Sequence, residues 1–216
     1  MPALPSLPDY LRSGLDLVFV GINPGLYSAR RGHYFARSTN RFWPAFTASR
    51  LSARVRSGLG VDVLRPEHDG ALLSLGIGFT DVVKRASGNA AELDLADFQT
   101  WAPRLLRKIR RLSPRVACFH GLTAYRPFLA LALGVENRAP SLGPQPEMVG
   151  ATRLFVVPNP SPANAHFTLA DQATWYDRLA DFIADTEPGG PCPPVGPSGR
   201  SLRRSRSLRR ARRRAR

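Results

Sequence analysis

Two short polar segments, far apart in the chain, carry side chains that could do chemistry. Residues 21–25 read Gly-Ile-Asn-Pro-Gly, and residues 159–164 read Asn-Pro-Ser-Pro-Ala-Asn. Each segment contains an asparagine amide, which both donates and accepts hydrogen bonds. The residue types therefore indicate a site that grips a small planar ligand.

The elements that position these segments are buried strands. The apolar runs 17–20 and 154–157 precede them, and such runs are typical of a parallel sheet. Asn, Pro, Gly and Ser then force a sharp turn. Because ligands of open α/β sheets bind beyond the carboxyl ends of the strands, we expect both segments to face one crevice.

Strands alternate with helices along the rest of the chain, which predicts an α/β fold: a three-layer α/β/α sandwich with a short, mainly parallel central sheet. Residues 26–40 lack periodicity and are predicted to form a functional loop, after which Asn40 caps a helix beginning at Arg41. Pro103 predicts the start or a kink of a helix, and Thr168 with Asp171 predicts a capping box. The predicted strands are 16–20, 76–83, 115–119 and 153–158, with helices near 70–75, 98–112 and 122–133 and after 168, and a loop with one possible edge strand over 136–152.

The charge of the chain predicts a polyanionic partner. The 216 residues carry a formal net charge of +15, and nucleic acid is the first expectation. Residues 189–216 hold ten arginines and no acidic residue, so we divide the chain into a domain at 1–187 and a disordered Pro/Gly-rich, then Arg-rich tail at 188–216. The tail is expected to bind nucleic acid non-specifically, or else to be a solvated extension without a specific task.

The cysteines and the apolar segments exclude several classes of protein. Cys118 and Cys192 are the only cysteines, too few for a disulfide framework or a four-cysteine metal or iron–sulfur site in one chain. No apolar run is long enough to span a membrane, and the first residues do not resemble a signal peptide. We expect a cytoplasmic, nucleoid-associated protein.

Six short motifs together resemble the mismatch-specific uracil/thymine-DNA glycosylase family of the uracil-DNA glycosylase superfamily. The resemblance covers roughly residues 13–185 and omits the tail. Its motifs are Gly-Ile-Asn-Pro-Gly-Leu at 21–26 with Gly-His-Tyr-Phe-Ala at 32–36, Asn-Arg-Phe-Trp at 40–43, Gly-Phe-Thr-Asp-Val-Val at 78–83, Gly-Leu-Thr-Ala-Tyr at 121–125 and Val-Pro-Asn-Pro-Ser at 157–161.

The resemblance implies a DNA glycosylase of base excision repair. Such an enzyme flips a damaged nucleotide out of the duplex and hydrolyses its N-glycosidic bond. The implied substrate is uracil, notably in G:U mismatches, with no metal or organic cofactor and a monomeric enzyme. We expect a monofunctional glycosylase, which leaves an abasic site. Lyase chemistry needs an amine nucleophile, and the sequence offers few amines. The candidate amines are Lys84, Lys108 on an apparently solvated helix face, and Pro2 after removal of Met1.

The resemblance also assigns roles around the base. Asn23 matches the catalytic asparagine, whose amide orients water rather than removing a proton. Phe35 matches the aromatic residue that stacks on the flipped base. Backbone groups near Ile22 and from Tyr34 to Phe35 would read the base edge, with Asn40 beside them. The alternatives are that Asn23 only shapes the turn and that Phe35 is an ordinary core aromatic.

Asp81 is a second candidate for activating water. It lies at the end of a glycine-rich strand that could face the same crevice, and a carboxylate is a far better base than an amide. The alternative is a helix cap, or an ion pair with Lys84 or Arg85.

The loop after the last strand departs from the family pattern. A bulky wedge and an arginine normally follow the Asn-Pro-Ser motif, whereas Ala163 and Ala165 occupy those positions here. The sequence predicts weaker insertion into DNA. The expected DNA contacts come from the loop residues Asn159, Ser161, Pro162, Ala163, Asn164 and His166, of which Asn159 is structural or close to the deoxyribose, and His166 is a phosphate ligand or simply solvated.

Two other functions stay open from the sequence. The first is a glycosylase for deaminated purines such as hypoxanthine or xanthine, because an aromatic pocket at Tyr34 and Phe35 does not distinguish pyrimidine from purine. The second is a non-catalytic DNA-binding protein of the same fold, which the weakened wedge and the basic tail favour and which Asn23, Phe35 and Asn159 oppose.

Overall fold

The computed structural model describes residues 6–185, and its centre is a five-stranded sheet. The strand order is β2-β1-β3-β5-β4, with β4 antiparallel to β5 and all other pairs parallel. The predicted α/β sandwich with a mainly parallel sheet is therefore confirmed. The strands are β1 (Leu17–Gly21), β2 (Ile77–Asp81), β3 (Val116–His120), β4 (Gly143–Val149) and β5 (Thr152–Val157).

Helices cover both faces of the sheet and bury two separate cores. Successive strand residues point to opposite faces, so Phe19 packs in the core beneath α2, α3 and α6, while Val20 packs beneath α4 and α5. The helices are α1 (Leu26–Arg31), α2 (Phe42–Ala48), α3 (Ala53–Leu59), α4 (Leu95–Leu112), α5 (Leu122–Leu133) and α6 (Leu169–Ala184).

Polar side chains of the sequence mark the starts of α2, α4 and α6. Thr168 and Asp171 form the predicted capping box of α6. Asn40 Oδ1 accepts from the N–H of Phe42 at 2.9 Å, so the predicted cap is present and the helix begins one residue later than expected. A capping box at Asp94 begins α4 well before Pro103, which lies inside the helix.

Two short helices were missed in the sequence. The predicted loop at 26–40 contains α1, whose first residue has no side-chain cap. Instead, the N–H of Leu26 donates to the Ser87 carbonyl at 2.9 Å, and the helix ends at Gly32 in the left-handed conformation. The sequence of α3 also lacks a clear helix signal. Both short helices are fixed by tertiary contacts rather than by caps.

The predicted tail at 188–216 lies outside the described residues, as do Pro2 and Cys192. Within residues 6–185, no helix is long and apolar enough to cross a membrane. Cys118 is a buried free thiol in β3.

Candidate active site

A cleft of about 800 Å³ opens at the carboxyl edge of the sheet. The loops that follow β1, β2, β3 and β5 form its walls, as expected for a ligand site of an open α/β sheet. His166 is exposed and does not line the cleft. The other residues predicted for the site do line it: Ile22, Asn23, Tyr34, Phe35, Asn40, Asp81, Asn159, Ser161, Pro162, Ala163 and Asn164.

The amide of Asn23 is held in one orientation. Its Nδ2 donates to the carbonyl of Arg85 at 3.0 Å, to the carbonyl of Pro24 at 3.3 Å and to Ser87 Oγ at 2.8 Å. Since backbone carbonyls only accept, the nitrogen must face them, and Ser87 Oγ donates its own hydrogen to Asn89. Within residues 6–185 nothing donates to Asn23 Oδ1. This oxygen is therefore available as an acceptor.

Asp81 lies beside Asn23 at the end of the neighbouring strand. It pairs in register with Gly21, and only 4% of the residue is exposed. A Cβ on Gly21 would lie 2.5 Å from Asp81 Oδ1, so glycine is required for the carboxylate to occupy this position. Burial, opposed by the cation of Lys84, raises the pKa of Asp81 to about 6.

The only two lysines of the chain converge on one carboxylate behind the cleft. Lys84 Nζ lies 2.9 Å from Asp9 Oδ1, 3.2 Å from the Tyr34 hydroxyl and 3.5 Å from Asp81 Oδ2. Lys108 also binds Asp9, which corrects the prediction that it lies on a solvated face. The ion pair expected as the alternative role of Asp81 is thus present with Lys84, while Asp81 still lines the cleft.

Phe35 presents its ring to the cleft from a strained backbone. Its φ is +53°, a left-handed conformation that costs a bulky residue about 1–2 kcal/mol. One face of the ring stacks on Phe42, with the centroids 4.3 Å apart and the planes at 17°. The ring is only partly buried. Stacking on a planar ligand is therefore open to it, although it also packs against the core.

Hydrogen bonds on either side of Phe35 maintain this strain. The N–H of Tyr34 donates to the buried carboxylate of Asp69 at 2.8 Å, and the Tyr34 carbonyl accepts from the Trp43 indole at 2.8 Å. On the other side, the N–H of Ala36 donates to the Ser28 hydroxyl. The N–H of Tyr34 is engaged by Asp69, so the predicted reading of a base edge by the backbone near Ile22 and from Tyr34 to Phe35 stays a prediction for the other groups of these residues.

The neighbouring backbone at Ile22 and Phe35 is engaged to different degrees. The Ile22 carbonyl accepts from the N–H of Val83 at 2.9 Å, which fixes the turn after β1. Within the described part of the chain, no acceptor is seen for the Phe35 N–H. Asn40 lines the cleft, but its Oδ1 is occupied by the cap of α2.

The loop after β5 is closed by its own side chains. Asn159 Oδ1 accepts from the N–H of Ser161 at 2.9 Å, and Asn164 Nδ2 donates to the Asn159 carbonyl at 3.0 Å. Gly121, at a φ of +90°, allows this approach, since a Cβ there would lie 2.9 Å from Asn159 Cβ. Asn159 thus holds the loop through its Oδ1 and its carbonyl, and it also lines the cleft, so a contact of its amide near the deoxyribose stays a prediction. Pro162 and Ala163 form the exposed tip of the loop.

A histidine that the sequence analysis did not single out lines the cleft beneath Phe35. The His120 ring lies edge-on to Phe35, with centroids 5.0 Å apart, and its Nε2 is 3.1 Å from the Tyr176 hydroxyl. Burial lowers the pKa of His120 to about 3. The imidazole is therefore neutral near pH 7 and supplies no positive charge to a ligand.

Several other residues that build the site carry no local signal of their role. Ser87 orients Asn23, Asp69 supports the segment before Phe35, and Asp9 binds both lysines. All three act across large sequence separations, so spacing alone does not find them. Among residues 6–185, no cluster of three or more His, Cys, Asp or Glu side chains could hold a metal ion.

Comparison with known proteins assigns the chain to a superfamily. Residues 8–182 match the Uracil DNA glycosylase superfamily, and the chain belongs to this superfamily. A candidate uracil DNA glycosylase from Methanosarcina acetivorans, solved by NMR in solution, is similar in structure. It shares 20% sequence identity over 82% of this chain and 98% of its own, with a TM-score of 0.49.

Proposed function

We propose that this protein is a monofunctional DNA glycosylase of the mismatch-specific uracil/thymine branch. It hydrolyses the N-glycosidic bond of uracil, notably opposite guanine, in base excision repair. It acts as a monomer on DNA in the cytoplasm. The convergence of Asn23, Phe35 and Asp81 on one cleft carries the proposal, because it combines a water ligand, a stacking surface and a base.

Asn23 orients the attacking water. Its Nδ2 is fixed by protein acceptors, so its Oδ1 can accept a hydrogen bond from a water next to the C1′ atom of a flipped nucleotide. A fixed amide needs no reorganisation when the reaction begins, and such positioning supplies much of the catalysis. Phe35 stacks on the base and excludes water from its face.

Asp81 takes the proton. As the C1′–N bond breaks, its electron pair leaves with the base, and the sugar becomes positively charged. The water oxygen then bonds to C1′ and its proton passes to the Asp81 carboxylate. A pKa raised to about 6 suits this task, because the group is mostly ionised at pH 7 and still basic enough to accept a proton.

The positions of the lysines support hydrolysis without strand cleavage. Lys84 is 11% exposed and is held by Asp9, Asp81 and Tyr34. A paired ammonium group is a poor nucleophile, since an amine attacks only in its neutral form. The product is therefore an abasic site in an intact strand.

A second substrate class follows from the size of the cleft. Its volume of about 800 Å³ also accommodates a bicyclic base, so hypoxanthine or xanthine is the second candidate. A non-catalytic DNA-binding role is disfavoured by the buried carboxylate and the fixed amide, which binding alone does not need.

Base release from defined oligonucleotides tests the proposal. Duplexes carrying uracil opposite guanine, uracil opposite adenine, hypoxanthine or xanthine, and a uracil single strand, are incubated with excess enzyme and then cleaved with alkali. The proposal expects the fastest release from the G:U duplex and no strand cleavage before alkali. Release of purines alone would favour the second substrate class, and no release from any substrate would favour the non-catalytic role.

A further inference from the structure

Arg41 joins the base pocket to the loop after β5. It directly precedes α2, on the side of the cleft that carries Phe35 and Asn40. Its Nη2 donates to the carbonyls of Ser161 and Asn164, each at 2.6 Å. Its backbone N–H donates to the Pro160 carbonyl at 3.0 Å. One residue thus makes three hydrogen bonds to this loop.

The two side-chain bonds hold the exposed tip from both sides. Ser161 and Asn164 flank Pro162 and Ala163, and the N–H of Asn164 also donates to the Ser161 carbonyl at 3.0 Å. Hydrogen bonds from a charged donor are about twice as strong as neutral ones. The guanidinium therefore fixes the loop at the two positions where its tip begins and ends.

The tip has little bulk of its own. Where a long side chain could fill the gap left by a flipped base, this loop offers only Pro162 and Ala163. A small wedge is effective only if the loop is rigid. A mobile loop would have to become ordered each time it entered DNA, and this ordering costs conformational entropy.

We propose that Arg41 is a positioning residue that holds the 159–164 loop rigid for insertion into the duplex. This inference rests on the proposed glycosylase function, since it assigns the loop a part in base flipping. It predicts that Arg41 matters for opening a base pair and much less for breaking the glycosidic bond.

The test compares two substrates and two matched variants. Arg41→Met keeps the aliphatic stem and removes the donors. Arg37→Met removes an equal charge from an exposed arginine of the cleft whose side chain has no hydrogen bond in the described part of the chain. Single-turnover rates are measured with uracil opposite guanine and with uracil opposite a tetrahydrofuran abasic analogue, which needs no pair opening.

Arg41→Met is expected to slow release opposite guanine about tenfold or more, as for the loss of strong hydrogen bonds, and release opposite the analogue less than about threefold. Arg37→Met should change both rates by the same factor. Equal losses on both substrates in Arg41→Met would overturn the inference. Arg41→Lys keeps the positive charge, but its side chain is shorter and its nitrogen does not reach the two carbonyls as the guanidinium does. This variant should show the same selective defect in a weaker form.

Hydrogen exchange separates this inference from the proposed function. Peptides covering 158–167 should exchange faster in Arg41→Met than in the wild type, with other peptides unchanged, and should not change in Arg37→Met. Unchanged exchange in this loop would overturn the inference, whatever the activity. Lack of uracil release by the wild type would contradict the proposed function, and with it the inference about insertion.

Discussion

Removal of the Lys84 cation should shift the pH dependence of the reaction to higher pH. In the proposed mechanism Asp81 acts as a base only when it is ionised, so the single-turnover rate should rise with pH through a midpoint near its pKa of about 6 and level off above it. Burial and the nearby Asp9 raise this pKa, and Lys84 lowers it. In Lys84→Met the two raising contributions remain, and only the hydrogen bond with Tyr34 still lowers the pKa of Asp81.

The distance sets the size of the shift. Lys84 Nζ lies 3.5 Å from Asp81 Oδ2, and two unit charges at this separation attract by about 5 kcal/mol at an effective dielectric constant of about 20. This energy corresponds to about 3 pH units and is an upper limit for the shift in the pKa of Asp81. The reason is that Lys84 lies closer to Asp9, so the two carboxylates share its charge. We expect the midpoint to rise by about one to three pH units.

The assay is release of uracil from a G:U duplex at saturating enzyme between pH 5 and pH 9. Lys84→Met should be slower than the wild type by about twofold to a hundredfold at pH 7, and should approach the wild-type rate near pH 9. Lys108→Met is the matched control, since Lys108 binds Asp9 but does not contact Asp81. A midpoint in Lys84→Met that stays in place or falls would refute the reasoning.

Two further substitutions test the Asp81 environment. Asp81→Asn should slow single-turnover release by about a hundredfold or more and yet stabilise the fold by about 1–3 kcal/mol at pH 7. The sign follows from a folded-state pKa raised to about 6: the ionised group destabilises the fold, fully above pH 6 and not at all below about pH 4. The gain in Tm should therefore disappear on acidification, and full activity in this variant would remove Asp81 from the mechanism. Gly21→Ala places a Cβ 2.5 Å from Asp81 Oδ1 and should reduce the rate about a hundredfold by displacing the carboxylate. A rate within threefold of the wild type would show that the carboxylate position is unimportant.

The fold was largely predictable because its strands are strong local signals. The apolar runs before Gly21 and before Pro158 became β1 and β5, and the capping box at Thr168 began α6. Local signals failed at α1, and at Pro103 they misplaced the start of α4. There the start of a helix depends on a distant carbonyl or on a cap several residues upstream.

The sequence predicts the residues that line the cleft but not those that support them. Asn23 and Phe35 lie on turns and Asp81 ends β2, and all three belong to recognisable motifs. Their supports, Ser87 and Asp69, lie more than thirty residues away in the sequence and act through one or two hydrogen bonds each. The left-handed backbone of Phe35 is likewise invisible in the sequence, because no glycine marks it.

The most direct test of the account is the role of Asn23. Uracil release from a G:U duplex is measured at saturating enzyme for the wild type and Asn23→Ala, with DNA affinity measured in parallel. We predict that the variant loses about a thousandfold in rate, through loss of the fixed water ligand, and that its affinity for DNA changes little. A variant rate within tenfold of the wild type would contradict the account and leave Asp81 as the group that activates water.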